Sequence, residues 1–111
     1  MQYLLLIYEN EKRFAQGYDP AEMSEYQAFG KEFAKSIQGG NALQPTKTAK
    51  TVRVRNGKAA NTDGPFAETK EQLGGFYLVE AGSIDEAVKM AARIPGARFG
   101  SIEVRPIMKF S

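Results

Sequence analysis

One loop gathers the side chains that could do chemistry. In NTDGPFAETKEQLGGFY, residues 61–77, Asp63 precedes Gly64-Pro65-Phe66, and Glu68 and Lys70 follow. A carboxylate whose pKa is raised by burial serves as a general acid or base. A lysine beside it offers positive charge to an anionic substrate or a developing oxyanion. Asp63 is therefore the candidate base and Lys70 its electrostatic partner. Glu68 would orient Lys70 or assist proton transfer. Tyr77, or Tyr8 on the first apolar run, would add a hydroxyl. A ligand held there would touch Asp63, Gly64, Pro65, Phe66, Lys70, Arg53 and Tyr77. Arg53, Arg55 and Arg105 form a possible basic patch for phosphate or carboxylate.

The same loop has a structural use. Asp63 accepts hydrogen bonds from nearby backbone N–H groups and fixes the turn. Gly64 precedes a proline, which biases it to extended geometry. Phe66 plugs the loop into the core, AETKEQ makes one helical turn, and Gly74-Gly75 release the chain into the next strand. The arginines then read as the solvated or ion-paired face of edge strands.

Absent residues narrow the chemistry further. The chain has neither cysteine nor histidine. That excludes disulfides, thiol nucleophiles, imidazole metal ligands and a Ser-His-Asp arrangement. A base acting near neutral pH is a carboxylate, a lysine or a tyrosine with a shifted pKa. Asp63, Glu68 and Glu71 are oxygen donors, but no calcium-loop or magnesium pattern surrounds them, so no metal and no cofactor is expected. With 15 basic and 13 acidic residues, the net charge of +2 is too balanced for a nucleic-acid binder.

The elements that must position these groups follow from periodicity. The chain of 111 residues, 42% hydrophobic and 25% charged, has the size and composition of one soluble domain, 1–111. Tyr3–Tyr8, YLLLIY, reads as a strand buried on both faces, too short to span a membrane and without signal-peptide features, so the expected location is cytoplasmic. A helix runs from the Asp19 N-cap and Pro20 to Gly39-Gly40, with Glu22 completing a capping box. Its apolar stripe is Met23, Tyr26, Phe29, Phe33 and Ile37. Gly30 inside it would be justified by close approach to a sheet. TVRVR, Asn56-Gly57 and the residues from Lys58 to Thr62 make a hairpin with a type I′ turn. Residues 75–81 form a strand with Phe76 and Leu78 on one face, Tyr77 and Val79 on the other. A second helix opens at Ser83 with Glu86 and closes at Pro95-Gly96, with a stripe of Ile84, Ala87, Val88, Ala91 and Ile94. A last alternating strand, Ser101–Met108, is limited or placed at an edge by Pro106.

The order β-α-β-β-β-α-β is a ferredoxin-like α+β pattern with an added strand. Helices on one side leave the other sheet face to a second copy, so a homodimer is expected. With YLLLIYE, TVRVRNGK, SIDEAVKMAARIP and IEVRPI around the Asp63-Gly64-Pro65-Phe66 loop, the chain resembles the YCII-related family, in its branch named for those four residues. The resemblance spans the chain and implies a ferredoxin-like dimeric α+β barrel. It implies little about activity. The His-Asp pair proposed in some relatives has no counterpart here, because there is no histidine. Association of this branch with extracytoplasmic-function sigma factors suggests a regulatory or stress context. Three functions remain open: a module binding a small metabolite, an anionic one included, near the loop; a cofactor-free enzyme using Asp63 and Lys70; and a module whose loop binds a protein partner.

Overall fold

The protein is described here by a computed structural model covering residues 1–110. Its strands are β1 (Gln2–Glu9), β2 (Ile37–Ala42), β3 (Lys50–Arg55), β4 (Lys58–Asp63), β5 (Gln72–Glu80) and β6 (Ser101–Pro106). Its α-helices are α1 (Pro20–Glu32) and α2 (Ile84–Ala91). Four strands form one sheet in the order β2-β5-β1-β6, with every neighbouring pair antiparallel. β1 and β2 therefore run parallel on either side of β5, and α1 connects them. β5 and β6 run parallel on either side of β1, and α2 connects them. Two β-α-β units are interleaved into a mixed α+β fold.

Both helices pack on one face of that sheet. Tyr3, Leu5 and Ile7 of β1 meet Val79 of β5, Phe29 of α1, and Ala87, Met90 and Ala91 of α2. Ile94 completes the core, and Leu5, Val79 and Ile94 are almost wholly buried. Each such aliphatic side chain contributes roughly 1.5–3 kcal/mol when removed from water. Tyr77, Ile102 and Val104 border the same core. The opposite face presents Leu4, Leu6, Tyr8, Phe76 and Leu78, all only half-buried. Leu4 lies opposite Leu78 and Leu6 opposite Phe76. β1 thus alternates between a buried and a half-buried row; it is not equally buried on both faces as YLLLIY suggests.

The first helix is shorter than its sequence stripe. It ends at Glu32, and Phe33 takes a non-helical C-cap conformation. Ile37 belongs to β2, a sixth strand that the sequence reading assigns to the helix end. Pairing wins there, because Gly39–Ala42 lie against Leu78–Gly75 of β5 and the N–H of Glu80 donates to the Ser36 carbonyl. A Cβ at Gly40 would stand 2.5 Å from the Phe76 carbonyl oxygen, so glycine permits this approach. Gly30, by contrast, has open space around it and no close contact to justify it. The Met23 side chain is exposed, whereas Phe29 is buried and Tyr26 and Phe33 flank the core. α2 stops at Ala91, before Pro95-Gly96, and Ile84 and Val88 of its expected stripe remain about half exposed. Ser83 caps α2 by accepting from the Glu86 N–H, and Glu86 accepts from the Gly82 N–H.

β3 and β4 form a separate two-stranded ribbon. Asn56 and Gly57 have φ of 52° and 75°, and Arg55 pairs with Lys58, as a type I′ turn requires. Almost every ribbon residue is exposed. The ribbon stands away from the sheet, which explains a radius of gyration of 15.9 Å where a compact chain of this length has about 13 Å. No helix among the described residues is long and apolar enough to cross a membrane.

Candidate functional site

The inward row of β1 runs Tyr3, Leu5, Ile7 and then, unexpectedly, Glu9, which is only 7% exposed. Glu22, in the first turn of α1, is equally buried. It does not serve as the reciprocal member of a capping box, because the Asp19 carboxylate alone takes the Ala21 N–H and Glu22 turns inward. Arg13 joins the two acids. It lies on a short 3₁₀ turn, Glu11–Phe14, which Asn10 caps by accepting from the Lys12 N–H. Arg13 Nη2 donates to Glu9 Oε1 at 3.0 Å and to Glu22 Oε1 and Oε2 at 2.8 and 3.1 Å. Its guanidinium sits 3.9 Å from the Phe99 ring centroid and 4.9 Å from that of Phe14.

Two glycines close the back of this cluster. A Cβ at Gly96 would lie 2.9 Å from the Tyr26 hydroxyl and 3.1 Å from Glu9 Oε1. A Cβ at Gly100 would collide with the Tyr8 carbonyl oxygen and lie 2.9 Å from Glu9 Cγ. Burial pushes the Glu9 carboxyl above its ordinary 4.5, outweighing the opposing charge and hydrogen bond of Arg13, while Glu22 and Glu71 add to the rise. Burial also lifts Tyr26 well above its ordinary range, with the Glu9 charge reinforcing it, and burial lifts Tyr77. Burial pulls Arg13 down, but Glu22 and Glu9 more than reverse that.

In front of the cluster lies a cavity of about 820 Å³. Phe14, Tyr18, Met23, Tyr26 and Tyr77 supply apolar walls, and Glu9, Glu11 and Glu22 line it too. Pockets that bind small molecules have this character: mostly apolar walls with few fixed polar groups. Its rim is latched, because Glu11 accepts from the Thr46 N–H at 2.8 Å and from Thr46 Oγ1 at 2.5 Å. A smaller hollow between α1 and residues 92–98 is bordered by the exposed ion pairs Arg93–Glu32 and Arg98–Glu25, and it holds no buried acid.

The residues expected from the loop sit elsewhere, with one exception. Asp63 is the last residue of β4, its side chain 84% exposed and paired with Lys50 at 2.5 Å. Glu68 and Lys70 are exposed. Phe66 is 80% exposed and does not plug into the core; the Arg53 guanidinium lies 5.6 Å from its ring. Gly64 has φ of 101°, a left-handed conformation that suits glycine, instead of extended geometry, and its carbonyl accepts from Thr51 Oγ1. AETKEQ forms no helical turn, and Gly74 and Gly75 lie inside β5. Arg55 donates to the Val54 carbonyl and Arg105 pairs with Glu103. Only Tyr77 among the expected ligand-binding residues lines the cavity. No group of acids among the described residues is arranged to hold a metal ion.

Glu9 makes a pH-dependent contribution that can be measured. Its folded pKa is raised, so the folded chain holds this proton more tightly than the unfolded chain does. The stability this gives is present below about 4.5 and is lost as pH rises through the folded value. Glu9→Gln keeps an oxygen for Arg13 and removes the titration. It is expected to melt higher than wild type at pH 7.5, with the advantage gone at pH 4; thermal melts at the two values check this.

The architecture defines a mixed α+β protein with two helices on one face of an antiparallel sheet and a buried-acid cavity at one end. The chain belongs to the YCII-related domain family, which it matches over residues 1–111. An uncharacterized protein of Rhizobium meliloti (strain 1021) is 38% identical over 114 residues, covering 96% of this chain and 92% of that one. Among solved structures, the chain is similar to 5-chloro-2-hydroxyhydroquinone dehydrochlorinase from Burkholderia phenoliruptrix AC1100 in complex with 2,5-dihydroxybenzoquinone. The TM-score is 0.59 at 17% identity, with 97% of this chain and 94% of that one covered. The likeness is one of fold.

Proposed function

We propose that the protein binds a small ring compound in the cavity before Glu9 and moves a proton on it. The observation that carries this reading is a buried carboxylate with a raised pKa lining a large, mostly aromatic cavity. Arg13 engages Oε1 of Glu9, which leaves Oε2 for a ligand. A ligand hydroxyl or acidic C–H would give its proton to that oxygen. A raised pKa brings the acid nearer to working pH, where proton exchange is most effective. Tyr26, held neutral, would donate its hydroxyl to the oxygen on which charge develops. The dehydrochlorinase of similar fold supports the ring chemistry, since that enzyme is named for a hydroxylated ring substrate.

The test is a thermal-shift titration with hydroquinone. At 100 times its dissociation constant a ligand adds about 2.7 kcal/mol, or roughly 10 °C here. Wild type is expected to shift; Glu9→Gln and Tyr26→Phe are expected to shift less while remaining folded. Equal shifts in all three proteins would place the ligand elsewhere.

A second reading concerns the surface. The interleaved sheet is read as ferredoxin-like, and two copies as a dimeric α+β barrel packed through Leu4, Leu6, Tyr8, Phe76 and Leu78. An isolated hairpin is marginal in water. The ribbon nevertheless exposes Val52, Val54 and Phe66, which favours its contact with a second copy. In this reading the Asp63-Gly64-Pro65-Phe66 loop, the mark of its family branch, belongs to the assembly instead of the chemistry.

A further inference from the structure

The cavity also carries a charge bias. We infer that it takes an uncharged hydroxylated ring and turns away the carboxylated or phosphorylated form of that ring, an inference that rests on the cavity being the binding site. Three carboxylates line it, Glu9, Glu11 and Glu22, against one lysine, Lys47, which is exposed at the rim. Arg13 stands behind the acids and does not line the cavity. Its Nη2 bonds both Glu9 and Glu22, and Phe99 and Phe14 pack on its guanidinium. Glu11 is committed as an acceptor, because both its oxygens take hydrogen bonds from Thr46.

An arriving anion therefore meets no guanidinium in the cavity wall. It stands near carboxylates behind low-dielectric aromatic walls, where like charges repel far more than in water. Relief would come from loading a proton onto Glu9, whose pKa a further negative charge drives higher still. An uncharged ring faces no such cost. Tyr18, Tyr26 and Tyr77 offer ring contacts, and a ligand hydroxyl can donate to Glu9 Oε2 in place of water. The anionic metabolite suggested by Lys70 and Arg53 would need those cations in the cavity, and neither lines it.

Isothermal titration of the full chain at pH 7.5 with hydroquinone and with 2,5-dihydroxybenzoate tests the inference. Wild type is expected to bind the benzoate at least about tenfold more weakly. Lys47→Gln, on the surface, should widen the gap, and Glu22→Gln, whose amide oxygen still accepts from Arg13, should narrow it. If Glu22→Gln does not fold, Lys47→Gln decides alone. Equal or tighter binding of the benzoate, or a gap unmoved by Lys47→Gln, overturns the inference while hydroquinone binding keeps the cavity as the site. If neither probe binds, the proposed function falls and the inference falls with it.

Discussion

Replacing Arg13 by methionine is expected to cost about 3 kcal/mol or more of stability at pH 7.5. Removing one partner of a buried ion pair typically costs 3–5 kcal/mol, because the remaining charge is stranded. Here two charges are stranded, since Glu9 and Glu22 both rely on the same guanidinium nitrogen. Their side chains are only 9% and 10% exposed, whereas that of Arg13 is 29% exposed, which argues for the lower end of the range. Methionine retains packing against Phe99 and so isolates the loss of charge. Against a typical margin of 5–15 kcal/mol, the loss is large. It should shrink as pH falls, because Glu9, whose pKa burial raises, then takes up a proton. Urea unfolding at pH 7.5 and pH 5 measures both effects. Adding Glu22→Gln to the variant should recover part of the loss at pH 7.5. A change below 1 kcal/mol would mean that water reaches the acids freely and that the cluster is not the rigid back wall of a site.

Leu6→Glu is expected to split the proposed dimer with little effect on the fold of each copy. Leu6 sits opposite Phe76 on the half-buried face, and on the helix side its neighbours in sequence, Leu5 and Ile7, hold the core. In a two-fold interface one substitution acts twice. Each carboxylate would enter an apolar contact unpaired, at several kcal/mol per ion. Weakening by about 1,000-fold or more, the equivalent of about 4 kcal/mol, is the expected scale. Sedimentation velocity across a concentration series reads it directly. A wild-type protein that is already monomeric at tens of micromolar would remove the dimer and leave the ribbon's exposed side chains for another partner.

The elements legible in the sequence are those whose signals are local. Asn56-Gly57 specifies its turn through positive φ at both residues, and the alternation of Phe76, Tyr77, Leu78 and Val79 is met on the two faces of β5. β2 was hidden because IQGGNA has no alternation and two glycines. It is a strand because the edge of β5 offers it partners far along the chain, as Gly40 with Tyr77 and Ala42 with Gly75. The site was hidden for a related reason. Glu22 looked like part of a helix cap, and Arg13 sat in a polar stretch with no period. Glu9 did leave a signal: counting by twos from Tyr3 through Leu5 and Ile7 places a glutamate on a buried row. The Asp63 loop drew attention through composition, which reports residue types and not which of them are kept from water.

The position of β1 at the centre of the sheet has a consequence during synthesis. Its two partners are β5, at residues 72–80, and β6, at residues 101–106. At 5–20 residues per second, roughly 4–14 s pass between the making of YLLLIY and of its nearer partner. During that interval α1 and the Asn56-Gly57 ribbon have the local contacts they need, but the most apolar strand has none. Until β5 emerges, this segment is the nascent chain's point of exposure to chaperones and to its neighbours on the same message.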